Sequence, residues 1–246
     1  MQKVLLVTGS SRGIGAATAS AAAHRRYDVC INYRNPLNAG RAQLVLDDIQ
    51  KLGVRAIAVR ADIADARQVE DLFKTIDREL GPVTALVNNA GISGDRKAFL
   101  DQGEVAFARV LAVNLMGTIN CTREALKRMA KSLGGAIVSV SSSAAVSGGK
   151  HLTAYVTAAN GIEGFTRSVA KDYAQKGIRA NIVRAGVIAT EQQPLGDERW
   201  VERMELSIPL RRLGKDSEVA EAIMFLLSPA SSYMTGSVVD VNGGRF

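Results

Sequence analysis

The chain alternates between two hydrophobic periods. Short apolar runs rich in Val, Ile and Leu at 3–7, 29–33, 56–59, 85–88, 137–140, 181–183 and 238–241 read as strands buried on both faces. The stretches between them repeat apolar residues every three or four positions. After Asp65, which stands where an N-cap is expected, Val69, Leu72, Phe73, Ile76 and Leu80 fall on one helical face, and Gly81-Pro82 is the stop. Ala42, Val45, Ile49 and Leu52 make a second such face, closed by Gly53. Strand–helix–strand units in series predict a parallel sheet with right-handed crossovers and helices on both sides, so the expected fold is a doubly wound, seven-stranded α/β domain. No linker, repeat or low-complexity tract divides the chain, which predicts a single domain over 1–246. Only 190–213 breaks the rhythm, through Pro194, Gly196, Trp200, Met204 and Pro209. An insertion beyond the carboxyl end of a strand covers the ligand crevice of such a sheet, so this stretch is read as a substrate lid.

Composition narrows the class. Of 246 residues, 47% are hydrophobic and 22% charged, an ordinary globular balance that excludes a disordered chain. No apolar run approaches the ~20 residues of a bilayer-spanning helix, and the apolar stretch at the start is too short for a signal peptide. The expectation is a cytoplasmic protein with no membrane partner. Lys and Arg number 31 against 24 Asp and Glu, a net charge of +7, but they are scattered through amphipathic segments. That pattern predicts a solvated surface with some attraction for phosphorylated ligands, and no nucleic-acid partner. Cys30 and Cys121, the only cysteines, lie in apolar segments without a neighbouring ligand set, so buried thiols and no metal are expected.

Directly after the first strand comes Thr8-Gly9-Ser10-Ser11-Arg12-Gly13-Ile14-Gly15, followed by the helix-forming Ala16-Ala17-Thr18-Ala19. Glycines there allow a tight turn, close backbone approach to a diphosphate and close packing of helix on strand, while the helix N-terminus offers free N–H groups. The spacing of Gly9, Gly13 and Gly15 resembles the TGxxxGIG motif of the classical short-chain dehydrogenase/reductases, and the likeness runs from 4 to 244. It implies a Rossmann fold, a nicotinamide cofactor and, as is usual in that family, a homotetramer; the apolar final strand at the sheet edge gives an oligomer a physical rationale. At the end of the second strand, Cys30-Ile31-Asn32-Tyr33-Arg34-Asn35 carries no acidic residue to hold ribose hydroxyls. Arg34, with Arg12 from the glycine loop, offers charge to a 2′-phosphate instead, which points to NADP rather than NAD. The resemblance adds Asp62 and Ile63 at the adenine, and the Asn88-Asn89-Ala90-Gly91 segment, of which Asn89, Ala90 and Gly91 border the cofactor. It also adds Gly186, Ile188 and Thr190 near the carboxamide and diphosphate. With Gly9, Ser11, Arg12, Gly13, Ile14, Gly15, Asn32, Tyr33, Arg34 and Tyr155, these are the expected cofactor residues.

The same resemblance implies a reacting centre of Asn114, Ser142 and Tyr155. Carbonyl reduction needs hydrogen-bond donors because negative charge develops on the oxygen as hydride reaches carbon. By family analogy Ser142 holds the carbonyl, Tyr155 transfers the proton, and Asn114 shapes its helix and a water relay; Ser141 and Ser143 are alternative serines that the spacing disfavours. The family pattern then requires lysine where this chain, in Tyr155-Val156-Thr157-Ala158-Ala159-Asn160-Gly161, has Ala159. A methyl group neither bonds the nicotinamide ribose nor lowers the tyrosine pKa from about 10. Lys150 and Lys171 lack the one-turn spacing that would replace it. Two further departures stand out: Arg26 where a helix-ending glycine is usual, and Ala185-Gly186 for the customary Pro-Gly.

The expected activity is NADPH-dependent reduction of a ketone or 3-oxo group on a small-molecule carbonyl substrate, impaired by Ala159, as in an active site altered at one residue. The alternatives are a nucleotide-binding regulatory or scaffold protein that lost redox chemistry, and non-redox chemistry on the same Ser–Tyr pair. Against the last stands the intact set of cofactor contacts. The substrate depends on loops near 93–98, 144–153 and 190–213, which motif logic does not reach.

Overall fold

In a computed structural model of the chain, residues 3–132, 134–191 and 193–246 are described. Seven parallel strands form one sheet in the order β3-β2-β1-β4-β5-β6-β7. They are β1 (Val4–Val7), β2 (Asp28–Tyr33), β3 (Ala56–Arg60), β4 (Ala85–Asn88), β5 (Gly135–Ser142), β6 (Ile178–Ala185) and β7 (Val238–Val241). Chain order runs outward from β1 to β3, then restarts with β4 on the other side of β1. At that switch point the loops leaving β1 and β4 diverge, and a crevice opens beyond the carboxyl ends of the strands.

The alternation of side chains along each strand builds two cores. Leu5, Val7, Val29, Ile31 and Val87 face one side, where they meet Ala19, Ala22 and Ala23 of α1 (Gly13–His24), Ala42 and Ile49 of α2 (Ala39–Gln50), and Val219 and Ile223 of α9 (Asp216–Leu227). Val4, Leu6, Cys30 and Leu86 face the other, against Val69, Leu72, Phe73 and Ile76 of α3 (Ala66–Glu79). The second side also receives Cys121, Ala125 and Met129 of α5 (Gly117–Met129) and Val169 of α7 (Thr153–Tyr173). The Asp65 side chain caps α3 by accepting from the N–H groups of Arg67 and Gln68. Both cysteines are fully buried and unpaired.

Three features depart from the sequence reading. First, β5 and β6 extend further than their apolar runs, because the polar residues at their ends are bonded inside the protein. Ser141 donates to Glu163, Arg184 donates to the same carboxylate, and Arg179 donates to the carbonyls of Leu226 and Ser228. Second, 190–213 holds a helix, α8 (Glu198–Ser207), capped by Asp197, which accepts from the Trp200 N–H. None of its residues is buried, so its weak apolar stripe gave little periodicity to read. Third, α4 (Glu104–Val110), a π-helical stretch over Leu111–Met116 and α5 run on as one helix, Glu104–Met129, whose length and mean hydropathy reach those of a bilayer span. No single apolar run signals it, since charged residues interrupt it; its apolar face is taken up by the core.

The end of α1 is a Schellman turn. The Tyr27 N–H donates to the Ala22 carbonyl and the Arg26 N–H to the Ala23 carbonyl, with Arg26 left-handed at φ 61°. A side chain in that conformation costs free energy that glycine does not pay, and the Arg26 guanidinium regains only an exposed bond to the Leu52 carbonyl. Replacing Arg26 by Gly is expected to stabilise the fold by about 0.5–1 kcal/mol, read as a higher midpoint in urea unfolding with an unchanged slope.

Candidate active site

The switch point is held open by backbone-directed side chains. The Thr8 hydroxyl accepts the N–H groups of Asn89 and Ala90 at 3.0 and 3.1 Å, and the Asn89 amide donates back to the carbonyls of Thr8 and Gly9. Asn88 points the other way, donating to the hydroxyls of Thr122 and Ser139. Gly9 sits at φ 64°, and a Cβ there would lie 2.8 Å from the Ala90 Cα. Buried Asn32 completes the frame by accepting the Gly9 N–H and donating to the carbonyls of Val59 and Ala61. The first turn of α1 has no side-chain cap and no acidic residue, so its N–H groups face the crevice as an anion-binding end.

A cavity of about 320 Å³ follows this crevice. Every residue expected at the cofactor or reacting centre lines it except Gly15: Gly9, Ser11, Arg12, Gly13 and Ile14; Asn32, Tyr33 and Arg34; Asp62 and Ile63; Asn89, Ala90 and Gly91; Asn114, Ser142, Tyr155 and Ala159; Gly186, Ile188 and Thr190. Gly15 lies behind the wall, where a Cβ would meet the Gly9 carbonyl oxygen at 2.5 Å and the Asn89 Nδ2 at 2.6 Å. Its part is to let the helix close on the loop. The geometry suits a dinucleotide: a glycine cradle that side chains would fill, a helix N-terminus, and cationic Arg12 and Arg34 at one end.

At the other end Tyr155, on the first turn of α7, and Ser142, at the end of β5, line the cavity together. The Ser142 hydroxyl also accepts the Ala144 N–H at 3.2 Å, which fixes its rotamer. Of the alternative serines, Ser141 is committed elsewhere: its hydroxyl donates to Glu163 at 3.0 Å and to the Ala159 carbonyl. Ser143 is buried and does not line the cavity. Burial holds the Tyr155 phenol above its ordinary pKa, and the opposing hydrogen bond to Ser142 and the charge of Arg96 do not overcome it. The methyl of Ala159 lines the wall below the phenol, with the residue 4% exposed. Asn114 lies in the π-helical turn, and its amide grips Ile92 twice, accepting the N–H and donating to the carbonyl, both at 2.9 Å. Such turns, rare in helices, recur at functional sites.

Two charged groups near the site gave no signal in the sequence. Glu163, one turn after Ala159, is buried to 2% exposure and bound by Arg184 at 2.6 and 2.7 Å, by Arg167 at 2.8 Å and by Ser141. Burial pushes its carboxyl up, but the bonds from Arg184 and Ser141 prevail and hold it below the ordinary range. Glu191 lines the cavity and pairs with Arg12 at 3.1 Å and with Arg41 of α2; the two arginines hold its carboxyl low. The Glu163–Arg184 pair and both Glu191 pairs join residues remote in sequence, which local patterns do not report; only Glu163–Arg167 is one helical turn apart.

Comparison with known proteins agrees with this arrangement. A family profile described as Enoyl-(Acyl carrier protein) reductase matches residues 9–245. The chain is 42% identical to an uncharacterized oxidoreductase, YgfF, of Escherichia coli over 98% of this chain and 99% of that one. It is 35% identical to the 3-oxoacyl-[acyl-carrier-protein] reductase FabG of Staphylococcus aureus over 100% and 99%. A crystal structure of a short-chain type dehydrogenase/reductase from Mycobacterium marinum superposes with a TM-score of 0.92, at 32% identity, over 99% of this chain and 95% of that one.

Substituting Gly15 by Ala tests the wall. The added methyl displaces the Gly9 carbonyl and the Asn89 amide, so the variant is expected to lose about 1–3 kcal/mol of stability, the usual cost of overpacking. Dinucleotide binding should weaken by about tenfold or more, because the cradle shifts with them. Urea unfolding and a nucleotide titration measure the two effects.

Proposed function

Given that the chain belongs to the classical short-chain dehydrogenase/reductase family, and is by that membership an oxidoreductase, we propose that it is built to reduce a ketone or 3-oxo group with NADPH and that Ala159 limits its turnover. The observation that carries this reading is the Ser142–Tyr155 pair opening into the same cavity as the glycine loop and Arg34. NADP, when bound, supplies or accepts the hydride at the nicotinamide end. Arg12 and Arg34 favour the 2′-phosphate, since no carboxylate stands at the end of β2 to repel it. Gly186, Ile188 and Thr190 line the same cavity. We also assign 190–213 as the lid over the carbonyl substrate, and a homotetramer as the assembly.

The chain's own residues divide the proton chemistry. Ser142, fixed by the Ala144 N–H, presents its hydroxyl to the carbonyl oxygen and stabilises the charge that grows there. Tyr155 then donates its phenolic proton to that oxygen. A phenol held above its ordinary pKa by burial is a poor acid and, in the reverse direction, is rarely available as a base. An ammonium at position 159 would reverse that balance, and a methyl does not. The same reading accounts for a fold and cofactor cavity that are complete around an ineffective proton donor.

Three outcomes test it. NADPH is expected to bind more tightly than NADH, and Arg34→Asp to invert the order; equal affinities in moderate salt would remove the cofactor assignment. Ala159→Lys should raise ketone reduction by about 10²-fold or more, with cofactor affinity changing less, and Tyr155→Phe in that background should erase the gain. The pH profile supplies the sign. Alcohol oxidation needs Tyr155 as phenolate, so in the present chain its rate should climb through about pH 10 without a plateau. In Ala159→Lys the added positive charge lowers the phenol pKa, and the rising limb should move toward neutral pH.

A further inference from the structure

Glu191 stands in an unusual place for a carboxylate. It follows Thr190, whose Cγ2 lies 3.3 Å from where a Cβ on Gly13 would be, so this segment crosses the crevice directly above the glycine loop. From there Glu191 reaches Arg12 at the N-cap of α1, 3.1 Å away, and Arg41 in the first turn of α2. Its side chain therefore ties the start of 190–213 to both elements that flank the end of β2. Arg34 lies at that same end and makes no ion pair among the described residues. Arg12 and Arg34 thus line one end of the cavity, and Arg12, together with Arg41 outside the lining, holds a carboxylate belonging to the chain itself.

We infer that Glu191 is a cofactor-responsive latch: its carboxylate occupies the arginine site that the 2′-phosphate of NADP takes over, and that exchange frees the 190–213 segment. The inference rests on the NADP reading above and adds a residue to it. A phosphate dianion offers more charge and more acceptor oxygens than a carboxylate, so it displaces Glu191 from Arg12 and Arg41 and recruits Arg34 as well. A nucleotide without the 2′-phosphate has nothing to exchange and leaves the latch closed. Competition at the arginines lowers affinity for the 2′-phosphate somewhat, and the selectivity of the latch lies in the response, because only a nucleotide that carries that phosphate releases the segment. The lid is released by the phosphate end of the cofactor, whatever the nicotinamide end does.

The chain carries its own reporter, since its one tryptophan, Trp200, lies in α8 within the latched segment. The experiment titrates 2′,5′-ADP and 5′-AMP onto the full-length chain and onto Glu191→Gln, following both affinity and Trp200 emission. With a latch, 2′,5′-ADP changes the emission of the present chain and 5′-AMP does not. Glu191→Gln should bind 2′,5′-ADP about three- to tenfold more tightly, the scale of two half-exposed ion pairs, and 5′-AMP within about twofold. Its emission should already match the 2′,5′-ADP-bound state before any addition, and Arg41→Met should weaken 2′,5′-ADP selectively. If 2′,5′-ADP is preferred over 5′-AMP yet Glu191→Gln binds it no more tightly, or both nucleotides move Trp200 alike, the latch is wrong and the NADP reading stands. If 2′,5′-ADP is not preferred at all, both are overturned.

Discussion

The crevice between the loops leaving β1 and β4 is the constraint on which the rest of the site depends. Parallel strands that restart on the far side of β1 must part there, and the parted loops leave backbone groups without strand partners. Thr8 and Asn89 satisfy those groups with hydrogen bonds across the gap, while Asn32 and Gly15 hold the glycine loop against β2 and α1. Because the same bonds that close the backbone account also set the width of the cleft, stability and ligand geometry are one arrangement. Glycine at positions 9 and 15 is required by contacts under 3 Å that any Cβ would make.

Behind the far end of the cleft, polarity is handled differently. Ser139, Ser141, Asn181 and Arg184 sit on the central strands, and each is matched inside the protein: Ser141 and Arg184 by Glu163, Asn181 by the backbone near Met234, Ser139 by Thr166 and Asn88. A buried carboxylate is tolerated only when so matched, and removing one partner leaves an uncompensated charge. Glu163 therefore fixes α7 to β5 one turn beyond Ala159. Tyr155 and Ser142 inherit their register from that attachment, and Ala159, one helical turn after Tyr155, lines the same cavity. With alanine there, the wall is apolar beneath the phenol.

The arginine end shows the same economy outside the core. Arg12 and Arg41 are half-exposed, so their pairs with Glu191 contribute little to stability. Their consequence lies in position: they bind the start of the 190–213 segment to α1 and α2. Weak, exposed pairs are suited to exchange, whereas the buried Glu163–Arg184 pair is suited to permanence.

The sequence by itself determined the strands and their order of appearance, the glycine loop, and a set of site residues of which all but Gly15 line the cavity. These are carried by short-range signals: apolar runs buried on both faces, φ-permissive glycines, and motif spacings within a single turn or strand end. It did not disclose α8, whose apolar residues are only half-buried, or the full lengths of β5 and β6, whose polar ends look like loop until their partners are known. Only the tertiary structure decided that Ser141 is taken up by Glu163, how Asn114 is tied to Ile92, and that Glu163 meets Arg184 and Glu191 meets Arg12 and Arg41. The reason is physical: a hydrogen bond or ion pair depends on distance in space, and Glu191 meets Arg12 and Arg41 across 179 and 150 positions of chain, a meeting that exists only once the parallel sheet has set the carboxyl ends of β1, β2 and β6 along one edge.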